Sequence, residues 1–233
     1  MRRGGAPSAI AVLFVLIAWA GLYVFLLATD RTSLYLSART AWLVPVGAII
    51  LIVSVVGYLV TRPDSPALSN RSVSGLALVA LPVVVVIALP PASLSSFAAS
   101  RRSSFASAAF VTSVEDISTG SLSLADVAGA VRSDEAMAAL TARAGAEVEF
   151  VGFVSRDPGM PADEFLLTRF LISCCVADAL SVQVRIVDAP AGEFKQDQWV
   201  QVTGNLFPLN NEVVVQAEDV VKVPRPKHPY LNA

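Results

Sequence analysis

Two uncharged apolar runs near the start, Ala9 to Ala28 and Ala41 to Val60, each 20 residues long, constrain this chain more than any other feature. At a rise of about 1.5 Å per residue, about 20 helical residues cross a hydrocarbon core of about 30 Å. A third run, Val73 to Ala92, contains Pro82 and ends at Pro90-Pro91. Its four consecutive valines, Val83 to Val86, would also suit a buried strand, but its length and lack of charge favour a third span, kinked at Pro82. Membrane helices tolerate the glycines and prolines in these runs. The rival reading of the first run is a cleaved signal peptide with Arg2 and Arg3 as its basic start. The run exceeds a usual signal core, and Leu27-Ala28-Thr29-Asp30 is a weak cleavage site, so an anchor is the better reading.

Charge divides the chain in two. Residues 1–102 hold two acids, Asp30 and Asp64, and eight of the 17 Lys+Arg; residues 103–233 hold 17 acids and nine bases, a formal charge of −8. The second half therefore has the composition of a water-soluble domain. The expected layout is a transmembrane region over 1–95, with spans near 9–28, 41–60 and 73–92. A juxtamembrane linker over 96–120 and a soluble domain over 121–233 follow. An acidic domain is poorly suited to nucleic acid, which needs clustered bases against phosphate and a basic groove interleaved with aromatics. The spans carry no ionisable residue, so transport by this chain alone is not expected. Basic residues flanking the spans balance four against four, and the positive-inside rule leaves orientation open. The free α-amino group favours a cytoplasmic N-terminus, which with three spans puts the C-terminal domain outside the cytoplasm.

In the soluble half, Ser123 or Ser121 is placed to cap a helix running to Val131, and in the first case Asp126 completes a capping box. A second helix is expected from Asp134 to Arg143, ended by Gly145. From Ala146 the apolar period becomes two: Val148, Phe150, Gly152 and Val154 alternate with Glu147, Glu149 and Val151. Asp157-Pro158-Gly159 marks a turn, and apolar or alternating segments follow at Phe165–Cys175, Val182–Val187, Trp199–Leu206 and Glu212–Val223, the last after an Asn210-Asn211 turn. Five strands with glycines at Gly152 and Gly204 to bend them imply an OB-fold-like five-stranded barrel with one or two short helices before it. The fold expected is thus a membrane all-α N-terminal region plus a mainly β C-terminal domain.

Cys174 and Cys175 are the only cysteines, and they are adjacent. Neighbours joined by one peptide are about 3.8 Å apart at Cα, short of the usual disulfide span, so no disulfide framework is implied. In an extended strand one would face the core and the other a surface. They read either as two small hydrophobes of a core strand or as a thiol site with Asp178 and Arg169 nearby, suited to a soft divalent metal or to redox chemistry. Two thiols fall short of a four-ligand zinc site, and the single histidine, His228, lies far along in a proline-rich tail. Metal binding would need ligands from a partner or a second copy, and no cofactor is otherwise expected. The acidic pair Asp163-Glu164 reads as a solvated loop. The chain has no G-x-S-x-G elbow, no P-loop and no paired Rossmann glycines, so it is not expected to be an enzyme.

The stretch from Arg169 and Phe170 through Cys174 and Cys175 to Ala177, Asp178 and Ala179 resembles the R-F-x-x-x-C-C-x-A-D-A signature of the YcgQ-like family. The likeness extends to Gly152-Phe153-Val154 with Arg156-Asp157-Pro158, to Trp199, Val200, Val202 and Gly204, and to the ending with Pro224, Pro226, Pro229, Tyr230 and Leu231. Pro90-Pro91 with Leu94 also looks like that family's membrane exit. The resemblance implies a multi-pass protein of the bacterial plasma membrane that accompanies a YcgR-like multi-span permease as an accessory subunit. Some such proteins carry a His-rich loop between the second and third spans; here Thr61 to Ser72 holds no histidine, which weakens a metal-transport role. Two functions are carried forward: a permease accessory subunit whose barrel docks or gates, and a thiol-based metal-binding or redox-sensing membrane protein. Homo-oligomerisation is left open.

Overall fold

The computed structural model describes residues 6–61, 70–89, 93–101, 114–209 and 212–232. Two compact units divide the chain, Met1–Ala92 and Ser93–Ala233. Arg2, Arg3, the Pro90-Pro91 exit and the Asn210-Asn211 turn lie outside the described residues.

The first unit consists of α1 (Ala6–Ala28), α2 (Leu43–Thr61) and α3 (Asn70–Ala88), with Pro82 inside α3. Helices α2 and α3 both pack on α1. The Trp19 indole of α1 donates to the Val79 carbonyl at 3.0 Å, and the Tyr23 ring lies where a Cβ on Gly47 would sit. Beyond these seams the apolar surface is uncovered, with Phe14 69%, Ile49 62% and Leu78 70% exposed. A helix from the core of a soluble protein would have such side chains inside. Over Ala9–Ala28 and Leu43–Thr61 the chain is long and apolar enough to cross a membrane; the apolar helix Val73–Ala88 is shorter. These helices fit a membrane-associated protein.

The second unit is a closed five-stranded barrel. Its strands are β1 (Glu147–Ser155), β2 (Phe165–Ile172), β3 (Leu180–Val187), β4 (Trp199–Leu209) and β5 (Glu212–Lys222). Around the barrel β1 pairs with β4, β4 with β5, β5 with β3, β3 with β2, and β2 with β1. The β3–β5 pairing is parallel and the other four are antiparallel, the Greek-key arrangement expected of an OB-fold-like barrel. The period-two pattern fixes its interior: Val148, Phe150 and Val154 of β1 meet Leu167, Val184, Val202 and Val215 inside. Gly152 sits where β1 leaves β4 to reach β2, and a Cβ there would stand 2.8 Å from the Thr168 carbonyl. A sixth strand, β6 (Tyr230–Asn232), adds parallel to β2, a pairing too short to be seen in the sequence.

Four short helices precede the strands. Ser123 caps α6 (Leu124–Ala130), and Asp126 completes the capping box as expected. Ser133 caps α7 (Asp134–Thr141), and Gly145 leaves it with φ 81°. Residues 96–120, read from sequence as a linker, include α4 (Ser96–Ala99) and α5 (Val114–Thr119), which belong to the second unit. Ile117 of α5 is fully buried in the barrel's main core, and Arg143 donates to the Ile117 and Gly120 carbonyls at 2.8 Å each, tying α5 to the end of α7. Ser and Ala dominate this region, so neither helix has enough apolar period to stand out in the sequence.

Candidate functional site

Strand β2 ends at Ile172, so the two cysteines are not in a strand as the apolar pattern implied. They occupy the turn into a 3-10 segment, Val176–Asp178, with Cys174 exposed and Cys175 half-buried. Neither is a core hydrophobe. Val176 and Ala179 supply the inward contacts of this turn, packing beside Phe170 and Ile172. The Asp178 carboxylate closes the turn, accepting from the Ser173 amide at 3.1 Å and the Cys174 amide at 2.8 Å. An aspartate bonding backbone amides a few residues upstream is a common device for ending a strand.

The electrostatics of this turn make a resting thiol. The Cys174 Sγ lies 3.7 Å from Cys175 Sγ. Its hydrogen bond to the Asp178 carboxylate, and then that to Cys175, push its pKa up to about 11. Burial works against the Asp178 charge, but the thiol and the amides of Cys174 and Ser173 outweigh it and hold its pKa below the usual value. Since the thiolate is the nucleophile, Cys174 is slow at neutral pH. We expect alkylation of Cys174 in the Cys175→Ser protein to need a pH above 9.0, because the Asp178 hydrogen bond, the largest cause of the raised pKa, remains. In Asp178→Asn/Cys175→Ser the profile should move towards 9.0, which mass spectrometry after timed alkylation measures. Identical profiles for the two proteins would contradict the role given to Asp178.

Arg169 lies outside this turn and binds the tail instead. Its guanidinium donates to the carbonyls of Pro229 at 3.3 Å and His228 at 2.9 Å, and stands 5.9 Å over the Trp199 ring. Burial lowers its pKa. These bonds hold the chain just ahead of β6. The signature arginine and the Pro-Tyr ending are therefore two sides of one contact. His228 contributes its backbone to this contact. Among the described residues no three His, Cys, Asp or Glu side chains are grouped to hold a metal. Glu164 is also not a solvated loop acid: it pairs with Arg185 at 2.5 Å, and Arg185 reaches Glu212 at 3.5 Å.

A second locus, not evident from the sequence, lies on the outer face of β1–β2–β3. Phe153, Phe170, Ile172 and Tyr230 form a buried cluster there, with Trp199 beside it. Leu94, Ala98 and Ala99 cover it, and the Leu94 amide donates to the Tyr230 hydroxyl at 3.2 Å. The Ser96 amide donates to Asp197 at 2.6 Å, and Asp197 itself holds φ 63°. A left-handed aspartate is uncommon, and one gripping a helix start is a candidate functional contact. Residues 93–101 thus form a strap across the face that OB-fold barrels commonly use for ligands.

Set beside known families, residues 122–232 match the model of the DUF1980 C-terminal domain. No curated protein matches the chain.

Proposed function

We propose, taking a DUF1980-type C-terminal domain behind membrane-length apolar helices as the premise, that this chain is an accessory subunit of a membrane transport system. Its barrel is the docking or gating module, and its partner is a multi-span permease of the kind that the YcgQ-like resemblance implies. The observation that carries the reading is the β4–β5 hairpin. Pairing of β4 with β1 stops at Asn205, yet β4 and β5 run on together to Leu209 and Glu212. That extension leaves Phe207 37% and Leu209 53% exposed. Apolar side chains on a hairpin projecting past its barrel are suited to a partner's groove. In this reading all three apolar helices span the bacterial plasma membrane, the barrel lies outside the cytoplasm, and the protein neither catalyses a reaction nor binds nucleic acid.

The full chain carrying a tag at Ala233 should co-purify with a multi-span permease from native membranes. Phe207→Ser/Leu209→Ser should lose that partner while remaining in the membrane. A chain recovered alone, or unaffected by the double substitution, would count against docking. The tag's accessibility on intact cells reads the side of the membrane.

The second reading is a thiol-based metal-binding or redox-sensing protein, favoured by the 3.7 Å approach of the two sulfurs at an exposed turn. The raised Cys174 pKa opposes it, since a sensor thiol is ordinarily acidic. Unchanged metal content and thiol oxidation in Cys175→Ser would remove it.

A further inference from the structure

Cys174 and Cys175 stand in a geometry that an extended strand would deny them, since strand neighbours point to opposite faces. The chain has left β2 at Ile172 and turned into Val176–Asp178, which brings the two sulfurs to 3.7 Å. Cys174 is exposed and Cys175 half-buried, so a solute can reach the pair. The turn is fixed without help from a ligand. One Asp178 oxygen accepts from the Ser173 amide and the other from the Cys174 amide, while Val176 and Ala179 pack beside Phe170 and Ile172. A pair arranged in advance binds at a lower entropic cost.

The separation limits what can join the sulfurs. A disulfide needs them about 2.05 Å apart, and adjacent Cα atoms at about 3.8 Å are already short of its usual span. One inserted atom fits better: two bonds to sulfur of about 2.3 Å, at angles of about 95° to 110°, span about 3.4 to 3.8 Å. An ion with two collinear bonds would need the sulfurs farther apart. Zinc and its like take four ligands, and among the described residues no third His, Cys, Asp or Glu joins the pair to hold a metal. A trivalent metalloid takes three bonds and brings the third ligand itself, as a hydroxyl.

Proton bookkeeping points the same way. A divalent ion held by two thiolates expels two protons, and Asp178, by its hydrogen bond to the thiol, keeps the proton on Cys174. A trivalent oxyacid condenses with the protonated thiols. Each sulfur displaces one hydroxyl, which leaves as water with the thiol's proton. Two S–H and two As–O bonds break, two As–S and two O–H bonds form, arsenic stays trivalent, and no proton is released overall.

We infer that Cys174 and Cys175 form a two-sulfur site for a trivalent metalloid oxyacid of the arsenous acid class. The inference rests on the thiol reading above and narrows its ligand.

The test dialyses the full chain in nanodiscs, under a phosphine reductant, against arsenite and, separately, against cadmium, with bound element counted per chain. The wild type should take one arsenic, with an affinity that moves less than about threefold between about pH 6 and about pH 8. Cys174→Ser and Cys175→Ser should each weaken arsenite by about 10²–10⁴-fold, the loss expected when the second bond is no longer intramolecular. Asp178→Ala keeps both thiols but frees the turn, and should weaken arsenite about tenfold. Wild-type affinity in Asp178→Ala, or in either serine variant, would overturn the assignment. So would an arsenite affinity that climbs with pH by up to about a hundredfold per unit, the behaviour of a site that must shed two protons. If the wild type takes cadmium through both cysteines but no arsenite, the thiol metal-binding reading stands and this inference falls; if it takes neither, both fall.

Discussion

Gly204→Val should leave the full chain without a folded barrel. A Cβ at residue 204 would fall on the Gln216 carbonyl, closer than side chains ever approach, with the Ala217 Cα also at 3.1 Å. These are backbone atoms of the paired strand β5, so no rotamer change relieves the contact. The register of β4 on β5 shifts between Thr203 and Gly204, and the two strands are pressed together there to close the barrel. Overpacking of this kind costs roughly 3 kcal/mol or more, a large part of the about 5–15 kcal/mol that holds an ordinary domain together. Limited proteolysis of the membrane-embedded chain, read by fragments beyond Ser93, measures the loss. Gly21→Ala is the control, since nothing lies within 4 Å of the added methyl, and it should leave the digest unchanged. Wild-type protease resistance in Gly204→Val would mean that the strands do not approach as described.

Phe170→Ala should cost about 3–5 kcal/mol, as much as a residue inside the barrel, although Phe170 stands on its outer face. It is 1% exposed, stacked on Phe153 at a centroid distance of 5.9 Å, and part of the cluster that Leu94, Ala98 and Ala99 cover. If the strap is what buries it, Leu94→Ala and Phe170→Ala will not add. The double variant should be more stable than the sum of the single losses predicts, by about 0.5–3 kcal/mol. Denaturant titration of the four proteins in one detergent supplies the cycle. Strict additivity would mean that the strap does not rest on Phe170.

In sequence, residues 90–93 alone separate Leu89 from Leu94 on the barrel face. The cysteine turn shares the strap's cluster through Val176 and Ala179, while Asp178 closes its backbone by accepting from the Ser173 and Cys174 amides.

The sequence by itself determined the apolar helices, the Ser123–Asp126 cap and the alternation that lines the barrel. Each of these is written in spacings of two to four residues or in one long run without charge, which chain geometry converts directly into structure. Only the tertiary structure decided that the cysteines leave the strand, that Arg169 grips the tail, and that Ser93 onward belongs to the barrel. Leu94 meets Tyr230 across 136 residues, Ser96 meets Asp197 across 101, and Arg169 meets His228 across 59. No local period encodes such contacts. They exist because closing the barrel leaves an apolar patch on one face, and the chain on either side returns to cover it.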